Sequence, residues 1–149
     1  MQAAETGHLV LTTLHADSIA WATESACNRE HTPVAEQEGM SALLARNTNA
    51  IICQRLVPRA TGKGVVPVTE ILLNTPIVRK LIGENRLAKL GNAIESGEED
   101  GMVTFNKCLL KLVNDGVITE DVALEASDNP QALKMNLKGI FLSDGGIIN

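Results

Sequence analysis

Aromatic residues are nearly missing: the 149-residue sequence has no tyrosine, one tryptophan and two phenylalanines. Trp21, Phe105 and Phe141 are too few and too scattered to make a base-stacking platform. Positive charge is not in excess either. Against 18 acidic side chains stand 13 basic ones, giving a net charge of -5 and a pI near 5.2. No overall positive field therefore attracts nucleic acid, and no nucleic-acid partner is expected. Nothing approaches the roughly 18 to 20 apolar residues of a membrane span, and the N-terminus lacks the basic-then-apolar order of a secretory signal. The expectation is an intracellular protein. Cysteine is sparse: Cys27, Cys53 and Cys108 are odd in number and widely spaced, without a C-x-x-C pair. That argues against a disulfide framework and a structural zinc site, leaving buried, reduced thiols. Cys27 and His31 stand four residues apart and would share a helix face, but no third ligand is placed, so no metal site is assigned.

What the sequence does have is an ordinary globular balance, 44% hydrophobic and 21% charged. Its length suits one domain or two small lobes, with about 70% of the unfolded surface removable on folding. His8-Leu9-Val10-Leu11-Thr12-Thr13-Leu14 is an aliphatic and β-branched run of strand length, bounded by Gly7 and by Asp17-Ser18. Its apolar residues do not alternate strictly with polar ones, which predicts a strand buried on both faces of a helix-covered sheet. A short helix and loop are expected over 17–32. Thr32 as N-cap and Pro33 at the first helical position open a helix to about Asn49, with Met40, Leu43, Leu44 and Ala50 facing inward. Strands are expected next at 50–59 and 65–73, paired as a hairpin through the turn Ala60-Thr61-Gly62-Lys63-Gly64.

After Asn74 the hydrophobic period changes from two to 3.6 and stays there. Thr75-Pro76 starts a helix with Ile77, Val78, Leu81 and Ile82 on one face, ended by Gly83. Leu87, Leu90 and Ile94 make the next stripe, closed by Gly97. Thr104 caps the clearest helix, with Phe105, Cys108, Leu109, Leu112 and Val113 on one face and a stop at Gly116. Thr119 with Glu120 and Asp121 starts a short helix, and Asn129-Pro130 starts another containing Leu133 and Leu137. The tail from Ser143 is expected to fray. The change of period near residue 74 divides an α/β portion, 1–74, from a helical portion, 75–142, with a flexible tail at 143–149.

These residues resemble a family. The run Ala4-Glu5-Thr6-Gly7-His8 through Leu14-His15-Ala16 resembles the histidine box of the type II/IV secretion ATPases. Gln54-Arg55-Leu56-Val57-Pro58, and then Val68-Thr69-Glu70-Ile71-Leu72-Leu73-Asn74-Thr75-Pro76, resemble the stretches on the C-terminal side of that box in the family. Ile77-Val78-Arg79-Lys80-Leu81-Ile82 lies where pilus retraction motors carry their retraction-linked motif. Gly101-Met102-Val103-Thr104-Phe105-Asn106 is similar to their Gly-Met-x-Thr-Phe-Asp signature. The likeness runs from about residue 3 to residue 137. Secretion-pathway members carry a four-cysteine zinc module after the Gln-Arg-Leu stretch; here only Arg59 to Val66 intervenes, without a cysteine. The chain therefore looks like the type IV pilus retraction, PilT/PilU-like branch, and its turn and Leu72-Leu73-Asn74-Thr75-Pro76 stretch look closer to the PilU type.

The resemblance implies an α/β fold: the C-terminal strands of a RecA-like P-loop ATPase core and, after them, a small helical subdomain. It implies ATP and Mg²⁺ as cofactors, a homohexamer or a hetero-assembly with related pilus ATPases, an inner-membrane platform protein as partner, and a cytoplasmic place beside the inner membrane. One family element is missing from the sequence: the phosphate-binding loop G-x-x-x-x-G-K-S/T, whose backbone N–H groups cradle phosphates. Gly62-Lys63-Gly64 lacks the upstream glycine and the hydroxyl and reads as a hairpin turn. The acidic Walker B segment is missing too, and the features of the family at 20–40 are not found. The chain thus reads as a C-terminal fragment, inactive alone and expected to bind nucleotide only weakly.

Within it the histidine box implies nucleotide sensing by His15, Thr13 and His8. The two histidines are seven residues apart, so on an extended strand they point to opposite faces about 23 Å apart. Ligands of open α/β sheets sit at the carboxyl ends of the strands, which favours His15 and Thr13. Arg55 is a candidate for an interface between subunits, although an exposed strand arginine is ordinarily solvated surface. The motif Ile77–Ile82 implies coupling of nucleotide state to retraction, while amphipathicity alone accounts for Arg79 and Lys80 on its polar face. Two functions compete: part of a motor that couples ATP hydrolysis to pilus retraction and twitching, or a non-hydrolysing module that docks on intact motor subunits. A free hydrolase using Cys27 or Cys53 has no supporting spacing.

Overall fold

Local signals place the elements. The computed structural model describes residues 2–27 and 34–140. In chain order the elements are α1 (Gln2–Glu5), α2 (Ile19–Cys27), α3 (Val34–Asn47), β1 (Ala50–Pro58), β2 (Val65–Leu73), α4 (Pro76–Gly83), a 3₁₀ turn (Leu87–Lys89), α5 (Leu90–Ser96), α6 (Phe105–Asn114), α7 (Glu120–Ala126) and α8 (Pro130–Leu137). The expected caps do their work at three helices: Thr104, Thr119 and Asn129 accept from the backbone N–H groups of Lys107, Val122 and Ala132, satisfying donors that the first turn cannot. Thr75 has N-cap backbone geometry but no capping bond, and its Oγ1 is buried without a partner. Helix α4 ends at Gly83 as expected, and the left-handed residue after it is Asn85 at φ 54°, with Arg86 N–H donating to Leu81 O at 2.8 Å.

β1 and β2 form a two-stranded sheet. Arg59 N–H donates to Gly64 O at the turn and Asn74 N–H to Asn49 O at the root, ten residues further along each strand, so the antiparallel register carries no net bulge. Gly62 and Gly64, at φ +72° and +77°, supply the turn with conformations that other residues rarely adopt. Side chains alternate: Cys53 and Val57 of β1 and Val66 and Val68 of β2 are buried, while Ile52, Leu56 and Val65 face out.

The chain folds as two compact units that interleave in sequence. One comprises the described residues up to Cys53 with Ile71–Met102. In it α3 packs against α2 and α4, and Ile19, Leu72, Val78, Ile82, Leu90, Ile94 and Met102 are each at most 2% exposed. Each such aliphatic side chain contributes about 1.5 to 3 kcal/mol through burial. Asn74 ties this unit together by donating from Nδ2 to the carbonyls of Ala45 and Thr48, orphan acceptors at the end of α3. The second unit comprises Gln54–Glu70 and the chain from Val103. There α6, α7 and α8 pack on one another around Phe105, Leu109, Ala123 and Leu133, all buried.

Three expectations are corrected. Residues 8–14 do not form a strand: they belong to no regular element, and Leu9 and Leu11 are 81% and 90% exposed. A strand exists only where a neighbour takes its backbone bonds and something covers its faces, and among the described residues no strand lies alongside. Ile77 is exposed rather than on the buried face of α4, which Val78, Leu81 and Ile82 fill. Ala50 is exposed and begins β1, and among the residues of α3 from Gly39 to Asn47 Ser41 and Ala45 are buried, with Met40, Leu43 and Leu44 half-buried. The expected start of α3 at Thr32-Pro33, the loop after α2 and the tail from Ser143 lie outside the described residues.

Candidate functional site

The histidine-box side chains stand at the surface. Gly7, at φ +84°, turns the chain out of α1 into the irregular segment that carries His8, Thr13 and His15, all exposed. Thr6 Oγ1 lies 2.9 Å from His8 Nδ1 and also donates to Ala3 O at 2.8 Å, so it fixes one edge of the His8 ring. Among the described residues no hydrogen bond or ion pair orients Thr13 or His15. The segment is tied at its start by Glu5, which pairs with Arg46 of α3 at 3.1 Å, and at its end by the fully buried Ile19.

Arg55 is placed otherwise than on solvated surface. Its guanidinium lies 4.0 Å from the Phe105 ring centroid, donates to Ala126 O at 3.0 Å and pairs with Asp128 at 2.8 Å. In the same unit Asn106 Oδ1 accepts from Ser127 Oγ at 2.6 Å, and Asn106 Nδ2 donates to Asn129 O. The Gly101–Asn106 signature thereby acquires a structural meaning. Met102 packs into the space over Gly97, Thr104 caps α6, Phe105 carries the guanidinium, and Asn106 holds the turn from α7 to α8. Sequence reasoning missed Asp128 and Ser127 as partners; the polar run Ser127-Asp128-Asn129 next to a helix end was the available signal.

In the retraction-linked motif, Val78, Leu81 and Ile82 are buried, Arg79 is exposed, and Lys80 makes a long 4.0 Å pair with Glu84 one turn on. The pair is a surface contact of small value. Cys27 and Cys53 are buried and Cys108 is half-buried, and these three cysteines are in no disulfide; His31, the other half of the pair considered with Cys27, lies outside the described residues. No group of His, Cys, Asp and Glu able to hold a metal occurs among the described residues. A concavity of about 300 Å³ runs along α8, lined by Gln131, Lys134, Met135 and Lys138. It lies on an open helix face, and the histidine box contributes nothing to it. The described residues do not by themselves make a cradle for a nucleotide triphosphate, and no chemical step is derived through one.

Similarity to known proteins adds to this geometry. The chain is 38% identical over 136 residues to the type IV pilus ATPase PilU of Pseudomonas aeruginosa, covering 91% of this chain and 35% of that protein. It superposes on the crystal structure of the pilus retraction motor PilT with bound ADP at a TM-score of 0.76, with 34% identity over 89% of this chain and 36% of that one. The chain belongs to the PilT/PilU-like type IV pilus ATPases. A twitching motility protein of Neisseria gonorrhoeae agrees, at 33% identity over 133 residues, 89% of this chain and 35% of that protein. No protein-family model matches. The α/β fold expected from the sequence, a partial ATPase core with a helical portion, is that of PilT over the matched segment. The chain spans about a third of the length of the relatives it matches, 35% in PilU. No helix among the described residues is long and apolar enough to cross a membrane.

Proposed function

We propose that this PilT/PilU-like chain is the C-terminal part of a hexameric motor that couples ATP hydrolysis to type IV pilus retraction and twitching. Residues 1–74 form the end of the RecA-like core, 75–142 the helical subdomain and 143–149 a tail. The observation that carries this reading is the superposition on a retraction motor across 89% of the chain. That motor binds ADP, and the segment here lacks a phosphate loop. Phosphoryl transfer needs positioned donors and Mg²⁺ carboxylates, which the rest of the motor supplies. This chain contributes His15 and Thr13 as polar sensors of the terminal phosphate, His8 as a more distant member of the box, and Ile77–Ile82 as the coupling helix. Arg55 acts within its own subunit, locking the signature helix in place, and reaches a neighbour only through the surface it shapes. The assembly works in the cytoplasm against an inner-membrane platform protein, as a homohexamer or with related pilus ATPases.

The test is a chimera in which this segment replaces the matching segment of Pseudomonas aeruginosa PilU. Restored ATP turnover and twitching support the reading. A folded, nucleotide-binding chimera with neither would overturn it.

A further inference from the structure

The root of α4 holds buried polar groups that the fold leaves uncommitted. Asn74 uses its Nδ2 hydrogens on the carbonyls of Ala45 and Thr48, which fixes the amide and aims Oδ1 the other way. That Oδ1 is buried without a partner, and so is Oγ1 of the next residue, Thr75. A third group follows closely in the chain. Pro76 at the first helical position has no N–H, and the N–H of Arg79 donates to Thr75 O, but among the described residues the N–H of Val78 finds no acceptor. Val78 is 0% exposed, so bulk solvent does not serve it. It is also the N–H that an N-cap threonine ordinarily serves: the hydroxyls of Thr104 and Thr119 accept from Lys107 and Val122, three residues on. Thr75 has the same extended backbone and leaves that bond unmade. Buried polar groups are rarely left bare, because desolvation without a bond is costly.

The three groups decide the chemistry of what they hold. The amide oxygen of Asn74 repels an anion, while the Val78 N–H and the positive end of α4 repel a metal cation. A fitting ligand is small, neutral, and able to accept from an N–H while donating to a carbonyl oxygen. We propose that one enclosed water molecule bridges the start of α4, accepting from Val78 N–H, donating to Asn74 Oδ1 and hydrogen-bonded to Thr75 Oγ1. The cap of α4 is then indirect, and through Asn74 it is joined to the carbonyl end of α3. All of these residues lie in one compact unit, and this chain's own atoms enclose both oxygens. The inference therefore needs no residue outside the sequence and does not rest on the motor reading.

The experiment uses the full 149-residue chain. Oxygen-17 relaxation dispersion counts long-lived waters by their oxygen, and water-to-amide Overhauser contacts place them. A contact from a long-lived water to the Val78 amide is expected. In Thr75→Val the water keeps two partners in place of three, so it should exchange too quickly to be counted, and the count should fall by one. Amide exchange at Val78 should become about tenfold faster in the same variant, whereas Thr75→Ser should keep both the count and the contact. A Val78 amide that is protected but has no water contact would mean that Thr75 caps it directly, and would overturn the proposal. An unchanged count in Thr75→Val would overturn it as well. Should Thr75→Val misfold, the water contact at Val78 in the unaltered chain decides by its presence or absence.

Discussion

At the residue scale, the fold turns on a few side chains whose partners lie far away in sequence. Arg55 contacts an aromatic ring, a helix-terminal carbonyl and a carboxylate at once, with its side chain only 26% exposed. Arg55→Met should therefore lower stability by about 1 to 3 kcal/mol in urea unfolding. Arg55→Lys should recover only part of this, because an ammonium cannot lie flat on Phe105 while reaching both oxygens. Asp128→Asn should cost under about 1 kcal/mol, since Asp128 is 56% exposed and its pair with Arg55 is screened by water. Equal losses from Arg55→Met and Asp128→Asn would show that the ion pair, not the ring and carbonyl contacts, is the anchor. Gly97 is the second sensitive point: a Cβ there would come within 2.7 Å of Met102 Cε and 3.0 Å of Ala93 O. The methionine can shift but the backbone oxygen cannot do so cheaply, so Gly97→Ala should destabilise by about 1 to 3 kcal/mol. His15 is the opposite case. It is exposed and carries no fixed contact, so His15→Ala should leave the stability of this chain within about 0.5 kcal/mol. In a restored motor the same change should leave nucleotide affinity nearly intact and slow turnover about ten- to a hundred-fold, as expected for loss of one hydrogen bond made in the transition state. His8→Ala should be milder, and equal losses would remove the distinction drawn between the two histidines.

Elements differ in how far their own residues determine them. Helix α6 shows every signal locally: Thr104 caps it, Phe105 and Leu109 recur on its buried face, and Gly116 at φ +68° stands just past its end. Thr104→Ala should remove the bond to Lys107 N–H and cost about 1 kcal/mol, measured as a lowered denaturation midpoint with unchanged slope. Thr75→Ala should cost less, because Thr75 makes no capping bond and its buried hydroxyl has no partner. The hairpin was legible for the same reason, with a two-glycine turn between alternating runs. Residues 8–14 were misread because strand identity is decided by a neighbour, and composition gives only willingness to pair. Ile77 misled because it is apolar at a helical spacing; its exposure depends on where α4 meets α3, which no periodicity contains. The Arg55 cluster was illegible in part: its cation was visible in the sequence, but a sequence separation of 71 between Arg55 and Ala126 hides the contact.

On the scale of the whole molecule, the chain has a family fold with a buried interior in each of its two units, while its proposed sensor residues His8, Thr13 and His15 are exposed. That combination separates stability from activity. The interior of each unit is closed by aliphatic burial and caps, so the purified chain should unfold cooperatively, but no part of that interior orients a phosphate. A nucleotide triphosphate carries several negative charges, and a protein of net charge -5 without a phosphate loop offers no compensating field for it. The purified 149-residue chain should thus show no ATP turnover with Mg²⁺ present, and calorimetric titration should detect no saturable binding at submillimolar nucleotide. Mixing it with intact Pseudomonas aeruginosa PilU tests what the surface is for. If the chain only completes a motor when covalently continuous with the phosphate loop, PilU turnover should stay unchanged in the mixture. A stoichiometric change in PilU turnover, with the chain still silent alone, would instead identify a docking module that acts on the motor from outside.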